Sequence, residues 1–279
     1  MRLKISHTTE YVYDEPAKFS LQRLRLTPPT SIGQAVLNWR LDVDGAKPEA
    51  NYEDQYGNHV TLVSVEGEQN TTRITAEGEI YTEDRNGMMG PHVGFCPLWL
   101  FLRETSLTKS GKLIRDLVKS VPPGEELARM HELMALIREN VDYQPGASTT
   151  ATTAEEALEK KSGVCQDHAH IFIAAARTIG IPARYVSGYL LLEETTQQTA
   201  THAWAEAHIT GLGWVGFDPA NKICPDDRYV RLASGLSYKD AAPVSGMRIG
   251  TPGETLSVSV SVEGSEQSQS SQGQSQSQS

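Results

Sequence analysis

Gly163-Val164-Cys165-Gln166-Asp167-His168-Ala169-His170 runs into Ile171-Phe172-Ile173-Ala174-Ala175-Ala176-Arg177-Thr178-Ile179 and stops at Gly180-Ile181-Pro182. The spacing predicts a buried helix that opens at Cys165. Ala169, Phe172, Ala176 and Ile179 fall on one face. A cysteine in the first turn of such a helix sits at the positive end of the helix dipole, where a thiolate is favoured over a thiol. The thiolate is the nucleophile, so the position predicts a reactive Cys165 at neutral pH.

A nucleophile of this kind needs a base, and the base needs an orienting group. Both candidates lie downstream. His202 stands in Thr201-His202-Ala203-Trp204-Ala205-Glu206-Ala207-His208-Ile209, and Asp218 in Gly213-Trp214-Val215-Gly216-Phe217-Asp218-Pro219-Ala220-Asn221. The first stretch alternates as a strand, with His202, Trp204, Glu206 and His208 on one face. A three-residue loop of Thr210, Gly211 and Leu212 pairs Ile209 with Gly213. Asp218 then opposes Trp204, and His202 becomes its diagonal neighbour, about 7–8 Å away at Cβ and within reach of a His–Asp hydrogen bond. A four-residue loop breaks this by parity. Without a bulge, only an odd loop permits the contact.

These motifs, GVCQDHAH, THAWAEAH and GWVGFDPAN, taken in the order Cys, His, Asp, resemble the core of the transglutaminase-like superfamily of papain-fold cysteine enzymes over residues 125–246. Residues 1–100, with Tyr11-Val12-Tyr13, Arg23-Leu24-Arg25-Leu26-Thr27-Pro28 and Tyr56-Gly57-Asn58, resemble more loosely the N-terminal β domain of bacterial transglutaminase-like proteins. The resemblance implies an α+β protein: an N-terminal antiparallel β-sandwich followed by a papain-like core. It also implies acyl transfer through a thioester, which hydrolases and protein cross-linkers of the family share. The expectation is a peptidase or amidase. A protein-glutamine transglutaminase and a non-catalytic binding module that keeps the fold are the alternatives. An intact Cys165, His202 and Asp218 set counts against the binding module.

The formal charge of −10, from 25 basic and 35 acidic residues, argues against nucleic acid and anionic membrane surfaces as partners. The expected partner is a peptide or protein substrate; the oligomeric state stays open. No run of 18 apolar residues suggests a membrane span. Met1 to Glu10 lacks the apolar stretch of a secretory signal. Three cysteines, at 96, 165 and 224, show no metal-ligand pairing and cannot all form disulfides, so a cytoplasmic setting without a cofactor is the simplest expectation.

Short alternating runs separated by turn residues predict the sandwich from residue 2 to about 82. Gly87 to Pro97 reads as a loop before Leu98-Trp99-Leu100-Phe101-Leu102, with Cys96 as a small buried hydrophobe beside it. Leu127, Met130, Leu133, Met134, Ile137 and Val141 mark an amphipathic helix. Thr153-Ala154-Glu155-Glu156 is a capping box. Residues 101–262 are assigned to the core and 263–279, rich in Ser and Gln, to a disordered tail.

The remaining candidates carry two readings each. The Cys165 N–H supplies one donor to an oxyanion, and Tyr143 or Gln144 is the candidate second donor; an ordinary helix-end loop is the other reading. Trp204 and Trp214 are cleft walls or core. Cys165 and His168 are i, i+3, but His170 lies off that face, so no metal site is expected. Asp167 reads as a first-turn partner of the helix dipole. Glu206 and His208 read as a solvated edge, and Cys224 as incidental.

Overall fold

In a computed structural model, residues 1–15, 19–66, 70–193, 195–249 and 253–265 are described. The first part supplies β1 (Arg2–Tyr13), β2 (Phe19–Thr27), β3 (Gln34–Asp44), β4 (Lys47–Glu53), β5 (His59–Glu66) and β6 (Thr71–Thr82). Then come β7 (Met88–Gly90), a 3-10 turn at Leu98–Leu102, α1 (Lys112–Ser120), α2 (Glu126–Asn140), β8 (Asp142–Tyr143), α3 (Ala154–Lys160), β9 (Ser162–Gly163) and α4 (Cys165–Ile179). The chain continues through β10 (Ala183–Leu190), β11 (Gln197–Gln198), β12 (His202–Ile209), β13 (Gly213–Phe217), β14 (Tyr229–Gly235), α5 (Tyr238–Ala241), β15 (Val244–Ile249) and β16 (Glu254–Ser265).

Among the described residues, the sandwich consists of a five-stranded sheet, β11-β16-β1-β6-β3, packed on a four-stranded one, β15-β2-β5-β4. Alternation along β1 and β6 buries Leu3, Ile5, Ile74, Ala76 and Ile80 against Leu24, Leu26 and Val63 of the facing sheet. The core is a second five-stranded sheet, β14-β10-β12-β13-β7. Helix α4 packs on one face of it, over Ala203, Ala205, Ala207, Val215 and Phe217. The alanines of β12 let the helix lie close. Tyr189, Val230 and Leu232 of this sheet join the sandwich core, so the two units share one apolar cluster.

The expected partition of the chain differs from the observed sheets in two ways. Strand β7, placed with the N-terminal part, pairs with β13 at the edge of the core sheet. Strands β11, β15 and β16, placed with the core, belong to the sandwich, where β15 pairs with β2, β16 with β1 and β11 with β16. Alternation marks a strand but not the sheet it joins; the free edges of β1 and β2 decide that. Residues 263–265, assigned to a tail, continue β16, with Ser265 opposite Arg2. The rest of the expected tail, 266–279, lies outside the described residues. Because Val260 and Val262 of β16 are fully buried in the sandwich, Val260→Ala should lower stability by about 2 kcal/mol, measured by denaturant unfolding. A neutral result would show that the C-terminal strand is dispensable to the sandwich.

Candidate active site

The helix opening at Cys165 is built by its neighbours. Asp167 Oδ2 accepts from the Val164 N–H at 2.7 Å and from the Ser148 hydroxyl. This ties the first turn to the preceding loop and sets a carboxylate at the helix N-terminus, as expected of it. Gly163 is required here by space. A Cβ at 163 would lie 2.7 Å from the Asp167 side chain. The parallel pairing of β8 with β9 places Tyr143 beside Gly163, and the Gln144 N–H donates to Gly163 O at 2.8 Å.

The hairpin delivers the histidine as the loop arithmetic requires. Ile209 pairs with Gly213 and Ala205 with Phe217, so Asp218 follows directly beyond β13. His202 Nε2 lies 2.6 Å from Asp218 Oδ2. Asp218 is wholly buried and its carboxylate is saturated. Oδ2 also accepts from Tyr229 Oη at 2.8 Å and Asn221 Nδ2 at 2.8 Å, and Oδ1 accepts from the Ala220 and Asn221 N–H groups at 3.0 and 3.3 Å. Burial alone would raise the Asp218 carboxyl; the facing His202 charge and these hydrogen bonds bring it below the ordinary carboxylate range instead.

Nε2 is committed to Asp218, and Cys165 lies close enough to act on the His202 ring. Burial would lower the His202 imidazole. The charges and hydrogen bonds of Asp218 and Cys165 outweigh it and push the ring up to about 10. Its ring stacks on Trp204 at 6.3 Å and meets Tyr229 edge-on at 5.8 Å.

Tyr143 borders Cys165 closely enough that its hydroxyl is pushed up to about 12, first by burial and then by the Cys165 and Asp218 charges. The Tyr143 residue is 44% exposed, and Gln144 is also exposed. Both candidate donors therefore flank the Cys165 loop. Trp204 backs His202. Trp214 belongs to another cluster, with Phe101 and Cys96, and lies beneath the Arg184 guanidinium at 4.1 Å. His168 sets Nδ1 on Val164 O at 2.9 Å and Nε2 on Val141 O at 3.0 Å, while His170 Nε2 accepts from the Tyr238 N–H at 3.1 Å. These contacts brace α4 against α2 and α5.

The expectation of a solvated edge at Glu206 is corrected. Glu206 is fully buried, between Arg184 at 2.5 Å and Arg231 at 3.2 Å. Alternation gives the face of a strand, not what covers that face, and here the sandwich covers it. Sequence reading also passed over Tyr229 and Asn221. Asn221 lies in the quoted Asp motif, three residues from Asp218, which is the one signal that could have found it.

The three thiols sit in different environments. Cys165 is partly buried beside His202. Cys96 is buried, donates to Gln55 O at 2.9 Å, and is raised by desolvation; burial also raises Cys224. Limiting iodoacetamide near pH 6 should therefore alkylate Cys165 well before the other two, as read by peptide mapping in a mass spectrometer. Equal labelling of all three would remove the case for an activated thiol.

Residues 114–219 match the transglutaminase-like superfamily and residues 3–81 the bacterial transglutaminase-like N-terminal region. An uncharacterized protein of Mycobacterium leprae is 29% identical over 92% of this chain and 96% of its own length. An uncharacterized protein of Mycobacterium bovis is 30% identical over 88% and 87%. The fold is shared with the crystal structure of a candidate cysteine protease from Cytophaga hutchinsonii, at a TM-score of 0.76 and 23% identity over 95% of this chain and 92% of that one. With both of its regions matched in order, the chain belongs to the transglutaminase-like superfamily and carries the bacterial transglutaminase-like N-terminal region.

Proposed function

We propose that this protein is a cysteine-dependent acyl-transfer enzyme acting on peptide or protein amides, with Cys165 as nucleophile, His202 as acid and base, and Asp218 as the group that orients His202. The observation that carries this reading is the placement of His202, with Nε2 on a saturated, buried carboxylate and the Cys165 side chain close enough to raise the ring. A binding module needs no such arrangement.

Each step balances. The Cys165 sulfur attacks the amide carbon and its electron pair forms the C–S bond, while negative charge collects on the carbonyl oxygen. The Cys165 N–H faces that oxygen, with Tyr143 or Gln144 as second donor. A donor of this kind is worth about 10²–10³ in rate. Collapse breaks the C–N bond, and the leaving amine takes the Nδ1 proton of His202. Water then attacks the thioester and returns a proton to His202. The C–S bond breaks, which releases the acid and restores Cys165. Asp218 stays ionised throughout, fixing the ring and stabilising the imidazolium.

Hydrolysis is favoured over transfer to an amine. Water is present at about 55 M, so a transferase must exclude it or concentrate the amine. Cys165 is only partly buried, and the flanking Tyr143 and Gln144 are exposed, so water reaches the thioester.

Two outcomes are expected. Asp218→Asn should keep the fold by circular dichroism and lower kcat on a reactive peptide amide by about 10²–10⁴; full activity would assign the carboxylate a structural role only. With a peptide thioester and millimolar cadaverine, product analysis should give mainly free acid, and none from Cys165→Ala. Mainly amine adduct would make the protein a transglutaminase. No product, with Cys165 also unreactive to alkylation, would favour the binding module.

A further inference from the structure

The face of the core sheet turned away from α4 carries charge that the chemistry at Cys165 does not use. Arg184 of β10 and Arg231 of β14 flank Glu206 of β12, and their side chains are only 12% and 13% exposed. Each guanidinium spends its Nε on Glu206. Two cations thus meet one carboxylate, which leaves one positive charge uncompensated in a largely buried place. Such a charge is costly unless something completes it. Burial accordingly lowers Arg184 to about 10, against the pull of Glu206.

Both arginines line a cavity of about 470 Å³ between the sandwich and the core sheet. This is the size range of small-molecule sites. Its other charged walls do not supply the missing anion. Asp54 is taken by Arg25 at 3.2 Å and by Asn58, and Glu53 is exposed and faces His59 at 3.7 Å. His92 accepts from Trp214 Nε1 at 3.1 Å and is 2.6 Å from Cys96 O through its other nitrogen, so both of its ring nitrogens are engaged. The remaining walls include Trp214, Phe101, Tyr56 and Met89, which are apolar or aromatic.

We infer that this cavity is a second binding site, separate from Cys165, for an organic carboxylate with an apolar body. The carboxylate sits against the guanidiniums of Arg184 and Arg231, and the body lies along Trp214, Phe101 and Met89. Planar guanidinium edges match a carboxylate in geometry as well as charge. The carboxylate can come from a free organic acid or from the C-terminus of a short peptide.

Titration calorimetry on the full chain carrying Cys165→Ala tests this without turnover. The probes are 4-phenylbutyrate, its neutral amide, inorganic phosphate, and a tetrapeptide ending in Phe with a free or an amidated C-terminus. At least one carboxylate should bind at least about tenfold more tightly than its own amide and than phosphate. The tighter of the acid and the peptide names the source. Arg231→Gln, shown to be folded by circular dichroism, should weaken that binding at least about tenfold. Equal binding of acid and amide, equal binding of phosphate, an unchanged affinity in folded Arg231→Gln, or no heat from any carboxylate up to about 10 mM would each overturn the inference. The comparison of acid with amide holds even if the variant does not fold.

Discussion

A carboxylate with no access to water must find its donors inside the protein, and Asp218 is such a group. Its two oxygens take five hydrogen bonds: from His202, Tyr229 and Asn221 side chains, and from two backbone N–H groups of the turn that follows it. Removing any one donor leaves a buried charge one hydrogen bond short, which is more costly than the gain from an average hydrogen bond. The turn is closed in both directions by backbone hydrogen bonds between Asp218 and Ile223. The β12–β13 register, the 218–223 turn and the first residue of β14 are therefore held to one geometry, and His202 is fixed as a result. Helix α4, packed closely on the alanines of β12, opens at Cys165 beside this ring.

The N-terminal sandwich is more than a neighbour of this core. It shares an apolar cluster with β10 and β14, and its polar residues reach into the same sheet. Gln34 exchanges hydrogen bonds with the Arg231 backbone, and Asn58 does the same with Ser234. Strand β14 carries Tyr229 toward Asp218 and Arg231 toward Glu206, so the sandwich anchors the strand that serves both sites. The return of β15 and β16 to the sandwich encloses the core between two parts of one sandwich in sequence.

How much of this could be read from the residues alone depends on the range of the interaction. The hairpin was legible up to its loop length: parity requires an odd loop, and the pairing of Ile209 with Gly213 supplies the three-residue one. Asp167 was legible as a first-turn partner of the helix dipole, and its bond to the Val164 N–H is local. The capping box at Thr153 is present, with the Thr153 and Glu156 side chains each satisfying the other's backbone N–H. What failed was long-range. Glu206 lies on the face that alternation assigns, yet only the sandwich, whose strands β1 to β6 lie more than 120 residues before it in sequence, decides that this face is buried. Leu256 to Val262 announces a strand but cannot name β1 as its partner. Tyr229 carries no spacing that would link it to Asp218; a bulge between Ser187 and Gly188 in the β10–β14 pairing sets its position.

The account rests on His202 being held as an imidazolium by Asp218 and Cys165. A ring whose folded value is raised above the ordinary 6.5 adds stability that is present in full below about 6.5 and is lost as the pH rises through about 10. The direct measurement is an NMR titration of the histidine ring signals in the full chain labelled at histidine, with His202 assigned by its absence in His202→Gln. The prediction is a His202 ring that stays protonated through neutral pH and titrates near 10, and that moves toward the ordinary value in Asp218→Asn. A His202 that titrates near 6.5 in the unaltered chain would contradict the account.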